Sequence, residues 1–160
     1  MKHFPFKNKT KQDLENQLQK YPQSNFGYTR KHDIHTGIDI YADPNQEVFA
    51  IEDGVVVSMD IFTGAEVDSP WWNTTQSIVI KSNSGYILYG EIKINPNLIL
   101  GSMIKSGDLI GQVLPVLKKD KGINPVNMLH LELYKQGPFS LIWNLNEKKS
   151  ENILNPMILF

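Results

Sequence analysis

The sequence contains no cysteine, and this absence excludes two kinds of architecture. Neither a disulfide framework nor a thiolate metal site can be built from such a chain. Arginine is almost absent too, because Arg30 is the single arginine among 16 basic residues. The formal net charge is −1 at pH 7. A chain with this balance lacks the positive surface that binds nucleic acid or anionic membranes, so we expect neither as a partner.

Long apolar runs are missing as well. No segment reaches the roughly 20 apolar residues that a membrane-spanning helix needs, so we expect no membrane insertion. The first residues, Met1 to Asn8, also lack the apolar stretch of a signal peptide. We therefore expect a cytoplasmic location for the chain as encoded, and action outside the cell stays open.

The remaining composition is that of an ordinary globular protein. Hydrophobic residues make up 41% and charged residues 21% of 160 residues, which suits one domain with a sizeable core. Within that length we assign residues 1–25 to an N-terminal segment with a short helix. Residues 26–160 form a β domain, including a C-terminal tail, residues 152–160, that docks on the core.

Local patterns predict one helix and several strands. Leu14 and Leu18 are four residues apart among polar residues, which predicts a short helix over residues 11–20. Apolar runs rich in β-branched residues predict strands over Glu47–Ile51, Val55–Ile61, Ser77–Lys81, Tyr86–Glu91, Leu109–Leu117 and Met128–Tyr134. The segment Thr63–Thr75 is long for a connection and holds Trp71 and Trp72. These tryptophans either form a substrate wall or lid, or cover an edge of the core.

His35 and Asp39 form the first part of a candidate metal site. In an ideal strand their Cα atoms would lie about 13 Å apart, too far for one metal ion to bridge. Gly37 lies between them, and glycine permits a sharp bend. If both residues bind one metal ion, the chain must bend near Thr36 and Gly37.

The strand predicted at the end of the domain supplies the second part. With a period of two, three leucines share one face of this strand, and Met128, His130 and Glu132 share the other. The leucine face is a core stripe, so His130 points away from that stripe. Glu132 lies on the same face as His130, where it could orient that ligand from behind.

Two imidazoles and one carboxylate, from His35, His130 and Asp39, suit a Zn²⁺ site with three protein ligands. Such a site keeps its fourth position open, which is the catalytic arrangement. The residues alone leave a second interpretation open, in which the two histidines are unrelated surface or capping residues.

The order of these motifs resembles that of the lysostaphin-type metallopeptidases, family M23, from about residue 26 to about residue 135. The resemblance implies a mainly β fold, with antiparallel sheets of the duplicated hybrid motif. It also implies zinc bound by His35, Asp39 and His130, and cleavage of peptide cross-links in bacterial cell walls. The segments that carry it are His35–Asp39, Val48–Ala50, Asp53–Val56, Tyr89–Glu91, Lys105–Gln112 and Met128–Glu132.

Two positions depart from the family pattern. The family carries helper histidines in a Tyr-x-His and a His-x-His motif, and here those positions are Glu91 and Met128. Methionine cannot donate a proton. A carboxylate beside a metal-acidified water can act as the base, so Glu91 is either a substituted general base or a mark of lost catalysis. Tyr89 shares the strand parity of Glu91, so it either lines the site or packs in the core.

Three functions compete at this stage. The first is a zinc-dependent hydrolase that acts on peptidoglycan or related peptides, with Glu91 as its base. The second is a non-catalytic zinc-binding recognition module, similar to the leukocyte cell-derived chemotaxins, which resemble M23 enzymes and lack peptidase activity. The third is a phosphocarrier of the glucose phosphotransfer type, with His35 phosphorylated. Arg30 either anchors a substrate carboxylate or forms a surface ion pair. The sequence leaves the substrate and the oligomeric state open.

Overall fold

The structure, a computed structural model, describes residues 1–119, 122 and 124–160. Within these ranges the chain forms one α-helix and eleven strands. No helix in the described ranges combines the length and apolarity needed to cross a bilayer. The elements are α1 (Lys11–Lys20), β1 (Asp33–Ile34), β2 (Ile38–Tyr41), β3 (Glu47–Phe49), β4 (Gly54–Thr63), β5 (Thr75–Ser82), β6 (Gly85–Ile94), β7 (Met103–Ile104), β8 (Leu109–Val113), β9 (Met128–Tyr134), β10 (Trp143–Asn144) and β11 (Ile153–Leu154).

Nine of these strands form one sheet, and the paired strands are antiparallel. The main path runs β11-β9-β6-β5-β4-β7, while β2 pairs with β9 and β8 pairs with both β3 and β6. Strands β1 and β10 form a separate antiparallel pair. This architecture confirms the predicted mainly β, antiparallel fold with a short N-terminal helix.

The predicted elements are present with small changes of length. Helix α1 has the predicted bounds, and it begins where the Thr10 side chain accepts from the Asp13 backbone while the Asp13 side chain accepts from the Thr10 backbone. Strands β4 and β6 are longer than predicted. The strand predicted to continue to Leu117 ends at Val113, since Pro115 has no N–H to donate to a ladder.

The core joins all parts of the chain. The leucine face of β9 is fully buried, as its period of two predicts. Phe6 and Leu14, from the N-terminal segment, belong to the same buried cluster as this face, and so does Leu159 from the tail. The N-terminal segment and the C-terminal tail therefore pack against the β domain.

The predicted bend at Gly37 is also present. Strand β1 ends at Ile34 and β2 begins at Ile38, so the chain turns over the three residues between them. A Cβ added at Gly37 would lie 2.3 Å from the Leu131 carbonyl oxygen and 3.1 Å from the His130 ring. Only glycine allows β2 to approach β9 this closely at that point.

We expect Gly37→Ala to lower the free energy of unfolding by about 1–3 kcal/mol, because the added methyl group forces two paired strands apart. Urea unfolding followed by circular dichroism measures the change. The matched control is Gly137→Ala, whose added Cβ would meet the Phe139 ring at 3.6 Å, an ordinary contact. Equal stability of the two variants would contradict the close approach at Gly37.

Candidate metal centre

His35 is held in place by hydrogen bonds of its backbone and of its ring to neighbouring backbone groups. The backbone N–H of His35 donates to the Tyr28 carbonyl at 2.9 Å, and the backbone carbonyl of His35 accepts from the Gly27 N–H at 2.8 Å. The ring Nδ1 lies 2.8 Å from the Asn25 carbonyl oxygen. A carbonyl can only accept, so Nδ1 carries the proton and Nε2 presents its lone pair.

His130 is fixed in the opposite tautomer by a neighbouring carboxylate. Its Nε2 lies 2.9 Å from Glu132 Oε1. Because the ionised carboxylate accepts, Nε2 donates, and in the neutral ring Nδ1 is therefore the nitrogen with the lone pair. On the paired strand, Asp39 stands directly opposite His130, and Asp39 Oδ1 lies 2.8 Å from His130 Nδ1.

Asp39 is held from the backbone side by helix α1. The Gln17 side-chain amide donates to the Asp39 carbonyl at 2.7 Å, and the Gln17 side-chain oxygen accepts from the Tyr41 N–H at 2.9 Å. One edge of β2 pairs with β9, and the Gln17 side chain bonds to the backbone of the other edge. The position of the Asp39 carboxylate is thereby fixed from both edges of β2.

Three acceptor atoms converge as a result. His35 Nε2 lies 3.3 Å from His130 Nδ1 and 3.2 Å from Asp39 Oδ1. All three residues are buried, and with the outer ring nitrogens acting as donors the three inner atoms face one another as acceptors. Such a group needs a cation between its members. Zinc bonds of about 2.0–2.1 Å place tetrahedral ligand atoms about 3.3 Å apart, so the donor set and spacing fit zinc.

In the chain without a metal, the positive charge among the three ligand atoms comes from a proton on His130. Burial alone would lower the pKa of His130, but hydrogen bonds to Asp39 and Glu132 and their negative charges raise it to about 10. Burial likewise opposes ionisation of Asp39, yet His35 and His130 hold the pKa of Asp39 below its usual range. A metal ion must therefore displace a proton from His130.

Glu132, which the sequence predicts to orient a ligand, is itself held by hydrogen bonds. Besides His130, its carboxylate accepts from the Thr36 hydroxyl at 2.6 Å and from the Tyr134 hydroxyl at 2.5 Å. Burial opposes its ionisation, but these contacts lower the pKa of Glu132. Sequence reasoning missed Thr36 and Tyr134. The alternation along β9 could have indicated Tyr134, which shares the face of His130 and Glu132.

Glu91 lies on a β-bulge beside this cluster. The pairing of β5 with β6 shifts register between Gln76 and Ile78, and Glu91 takes a left-handed backbone with φ of 61°. Its Oε2 is buried and has no hydrogen-bond partner within the described part of the chain. Burial, and then the charge of Asp39, raise the pKa of Glu91 to about 8, although His130 and Arg30 act in the opposite direction.

A cavity of about 600 Å³ opens over the cluster and brings most of the predicted site residues together. Its lining includes Arg30, Trp72, Glu91 and Met128 as well as the three candidate ligands and Glu132. Arg30 Nη2 lies 3.4 Å from Asp39 Oδ2. Arg30 therefore forms an ion pair, as one prediction had it, and its partner is a candidate metal ligand.

Two predicted residues do not line this cavity. Tyr89 is fully buried and its hydroxyl accepts from the Ile51 N–H at 3.0 Å, so it packs in the core. The bulge at Glu91 breaks the alternation that had placed Tyr89 on the same face. Trp71 is 62% exposed and lies outside the lining, whereas the neighbouring Trp72 contributes to it. His32 is exposed and takes no part in the cluster.

The candidate ligands lie in a part of the chain that matches a known family. The family model described as Peptidase family M23 matches residues 33–140, more than half of the chain. The chain therefore belongs to peptidase family M23. A search among curated proteins found no match.

Solved structures show the same fold. The catalytic domain of the antimicrobial peptidase lysostaphin from Staphylococcus simulans is 19% identical, and the match covers 85% of this chain and 88% of that one, with a TM-score of 0.55. The catalytic domain of the prophage-encoded M23 protein EnpA from Enterococcus faecalis is 22% identical, and the match covers 76% of this chain and 85% of that one, with a TM-score of 0.53. Csd3 from Helicobacter pylori is 26% identical with a TM-score of 0.50, over 71% of this chain but only 27% of Csd3.

The raised pKa of Glu91 predicts how stability depends on pH in protein stripped of metal. Glu91 ionises near pH 4.5 in the unfolded chain and near pH 8 in the folded chain. Stability should therefore fall as the pH rises through this window, by more than about 1 kcal/mol. His130, whose pKa is also raised, adds to the fall only above about pH 6.5, so Glu91→Gln should remove most of the fall between pH 5 and pH 6.5, as measured by urea unfolding in a chelator at several pH values.

The control for this prediction is Glu52→Gln. Glu52 is also buried, but hydrogen bonds from Ser84 and the Lys2 ammonium outweigh burial and lower the pKa of Glu52. Its contribution to stability is lost as the pH falls, not as it rises. The decline between pH 5 and pH 6.5 should persist in Glu52→Gln, and its persistence in Glu91→Gln would contradict the prediction.

Proposed function

We propose that this protein is a zinc-dependent hydrolase of the M23 type that cleaves peptide or amide bonds in peptidoglycan or related peptides. The observation that carries the proposal is the convergence of three acceptor atoms, from His35, Asp39 and His130, at the floor of an open cavity. The membership of family M23 supports it independently.

The candidate ligands would hold the zinc ion, and Glu132 and Arg30 hold two of these ligands in position. Zinc held by His35, Asp39 and His130 would polarise a peptide carbonyl and acidify a water molecule. Glu132 keeps the His130 ring in the tautomer that presents Nδ1. Arg30 occupies Asp39 Oδ2, which leaves Oδ1 directed at the two imidazoles. The protein thus supplies three ligand atoms and leaves room for a substrate.

Glu91 is the candidate general base. Glu91 lines the cavity and its Oε2 has no hydrogen-bond partner within the described part of the chain, so its carboxylate can accept a proton from an attacking water and pass it to the leaving nitrogen. Without a metal its pKa is raised to about 8. A divalent cation at the cluster would lower this pKa, so that the carboxylate form becomes available near neutral pH.

One observation favours the second candidate function, a zinc-binding recognition module. Met128 lines the cavity, and its thioether cannot donate a hydrogen bond to a developing oxyanion. Loss of one such donor costs about 10²–10³ in rate in other enzymes. The phosphocarrier alternative gains no support from the family match.

We expect one zinc ion per chain, bound with release of at least one proton at pH 7, since His130 is protonated without a metal. Apparent affinity should rise about tenfold per pH unit between pH 6 and pH 8. Elemental analysis of untagged protein gives the stoichiometry, and calorimetry in buffers of different ionisation enthalpy counts the protons.

Ligand variants locate the site. His35→Ala, Asp39→Ala and His130→Ala should each abolish stoichiometric zinc binding. His32→Ala is the matched control, because His32 is exposed and lies outside the cluster. Full zinc content in the His130→Ala variant would refute the assignment.

Turnover on purified peptidoglycan fragments separates the two candidate functions. We expect Glu91→Gln to lower the rate about 10²–10⁴-fold while zinc content stays unchanged. Met128→His should raise the rate by about 10²-fold, because it restores a donor beside the reacting carbonyl. Wild-type protein with bound zinc, no turnover and no gain from Met128→His would favour the recognition module.

A further inference from the structure

The cavity has apolar walls that the metal chemistry does not use. One wall comes from the loop between β4 and β5, which contributes Val67 and Trp72, and the other from Ile142 and Trp143 near the C-terminus. Ile142 is 72% exposed, Val67 40% and Trp72 38%. Apolar side chains grouped around a cavity mouth mark a ligand-binding surface, because covering them removes apolar area from water.

The C-terminal wall lies outside the part of the chain that matches the family, which ends at residue 140. It is nevertheless firmly placed. Trp143 pairs with Ile34 of β1, directly before His35, and its ring lies 5.8 Å from the Phe26 ring. Its Nε1 donates to the Glu147 carbonyl at 3.0 Å. The wall is therefore tied to the segment that carries a candidate ligand.

Two hydroxyl groups in the cavity lining are already engaged within the protein. The Thr63 hydroxyl donates to the Asn73 carbonyl at 2.7 Å, and the Ser69 hydroxyl lies 3.1 Å from the Gly64 carbonyl oxygen to which it donates. These two hydroxyls therefore do not compete with the apolar side chains beside them for a substrate. The unpaired carboxylate oxygen of Glu91 is buried, and Glu91 lies close enough to Asp39 and His130 for their charges to act on it.

We infer that Val67 and Ile142, one on each of these two walls, form a specificity subsite for a bulky apolar side chain next to the scissile bond. The preferred substrate is then a peptide with a residue such as leucine at that position, and a glycine-glycine bond is a poor substrate. The inference rests on the proposed zinc hydrolase, and it names the class of substrate for that same site.

Two matched probes test the subsite without turnover. Acetyl-Gly-Leu hydroxamate and acetyl-Gly-Gly hydroxamate carry the same zinc-binding group and differ only in one side chain. Calorimetry with protein of measured zinc content should show the leucine compound binding about tenfold more tightly, or more, because its side chain is buried between the walls.

Variants then assign the preference to the walls. Ile142→Ser combined with Val67→Ser should reduce the ratio of the two affinities to about twofold, while affinity for the glycine compound stays the same. Both side chains are exposed, so folding should be unaffected. The matched control is Ile99→Ser, since Ile99 is 69% exposed and lies outside the cavity lining; this variant should keep the full ratio.

The outcomes separate the inference from the proposal beneath it. Protein without bound zinc overturns the proposed hydrolase and, with it, this subsite. Bound zinc with equal affinities for the two hydroxamates overturns the subsite alone. A leucine preference that survives in the Ile142 and Val67 double variant also overturns it, because the preference then arises elsewhere.

Discussion

Two imidazole lone pairs and a carboxylate oxygen are held together in a buried space, and the surrounding structure keeps them there. Each outer ring nitrogen is committed to an acceptor, Asn25 for His35 and Glu132 for His130. The inner atoms cannot satisfy one another without a positive charge between them. The arrangement is therefore stable only with a bound cation, and the raised pKa of His130 is the metal-free form of the same requirement.

Elements that are distant in the sequence hold the three candidate ligands together. The close approach of β2 to β9 depends on Gly37, and it sets Asp39 opposite His130. Helix α1 contributes through Gln17, whose amide bonds to the backbone on either side of Ile40. The N-terminal segment lies outside the part of the chain that matches the family, yet it fixes the strand that carries a candidate ligand.

Much of this could be predicted from residue order. Strict alternation in β9 predicted which side chains face the core, and the Gly37 bend followed from the distance between two ligands. The failures have physical causes. Tyr89 was placed with Glu91 because alternation assumes a regular strand, and a bulge intervenes. The wall around Ile142 depends on a long-range pairing of two-residue strands, for which local sequence has no signal.

The bulge at Glu91 has one more consequence. The backbone there is left-handed, a conformation that costs a non-glycine residue about 1–3 kcal/mol. The neighbouring ladders hold it in place, with Gly90 paired to His130 and the Glu91 carbonyl accepting from Leu114. The main chain, not the side chain, decides that residue 91 faces the cluster. Because the paired backbone supplies this constraint, the direction of the side chain at residue 91 does not depend on its own chemistry.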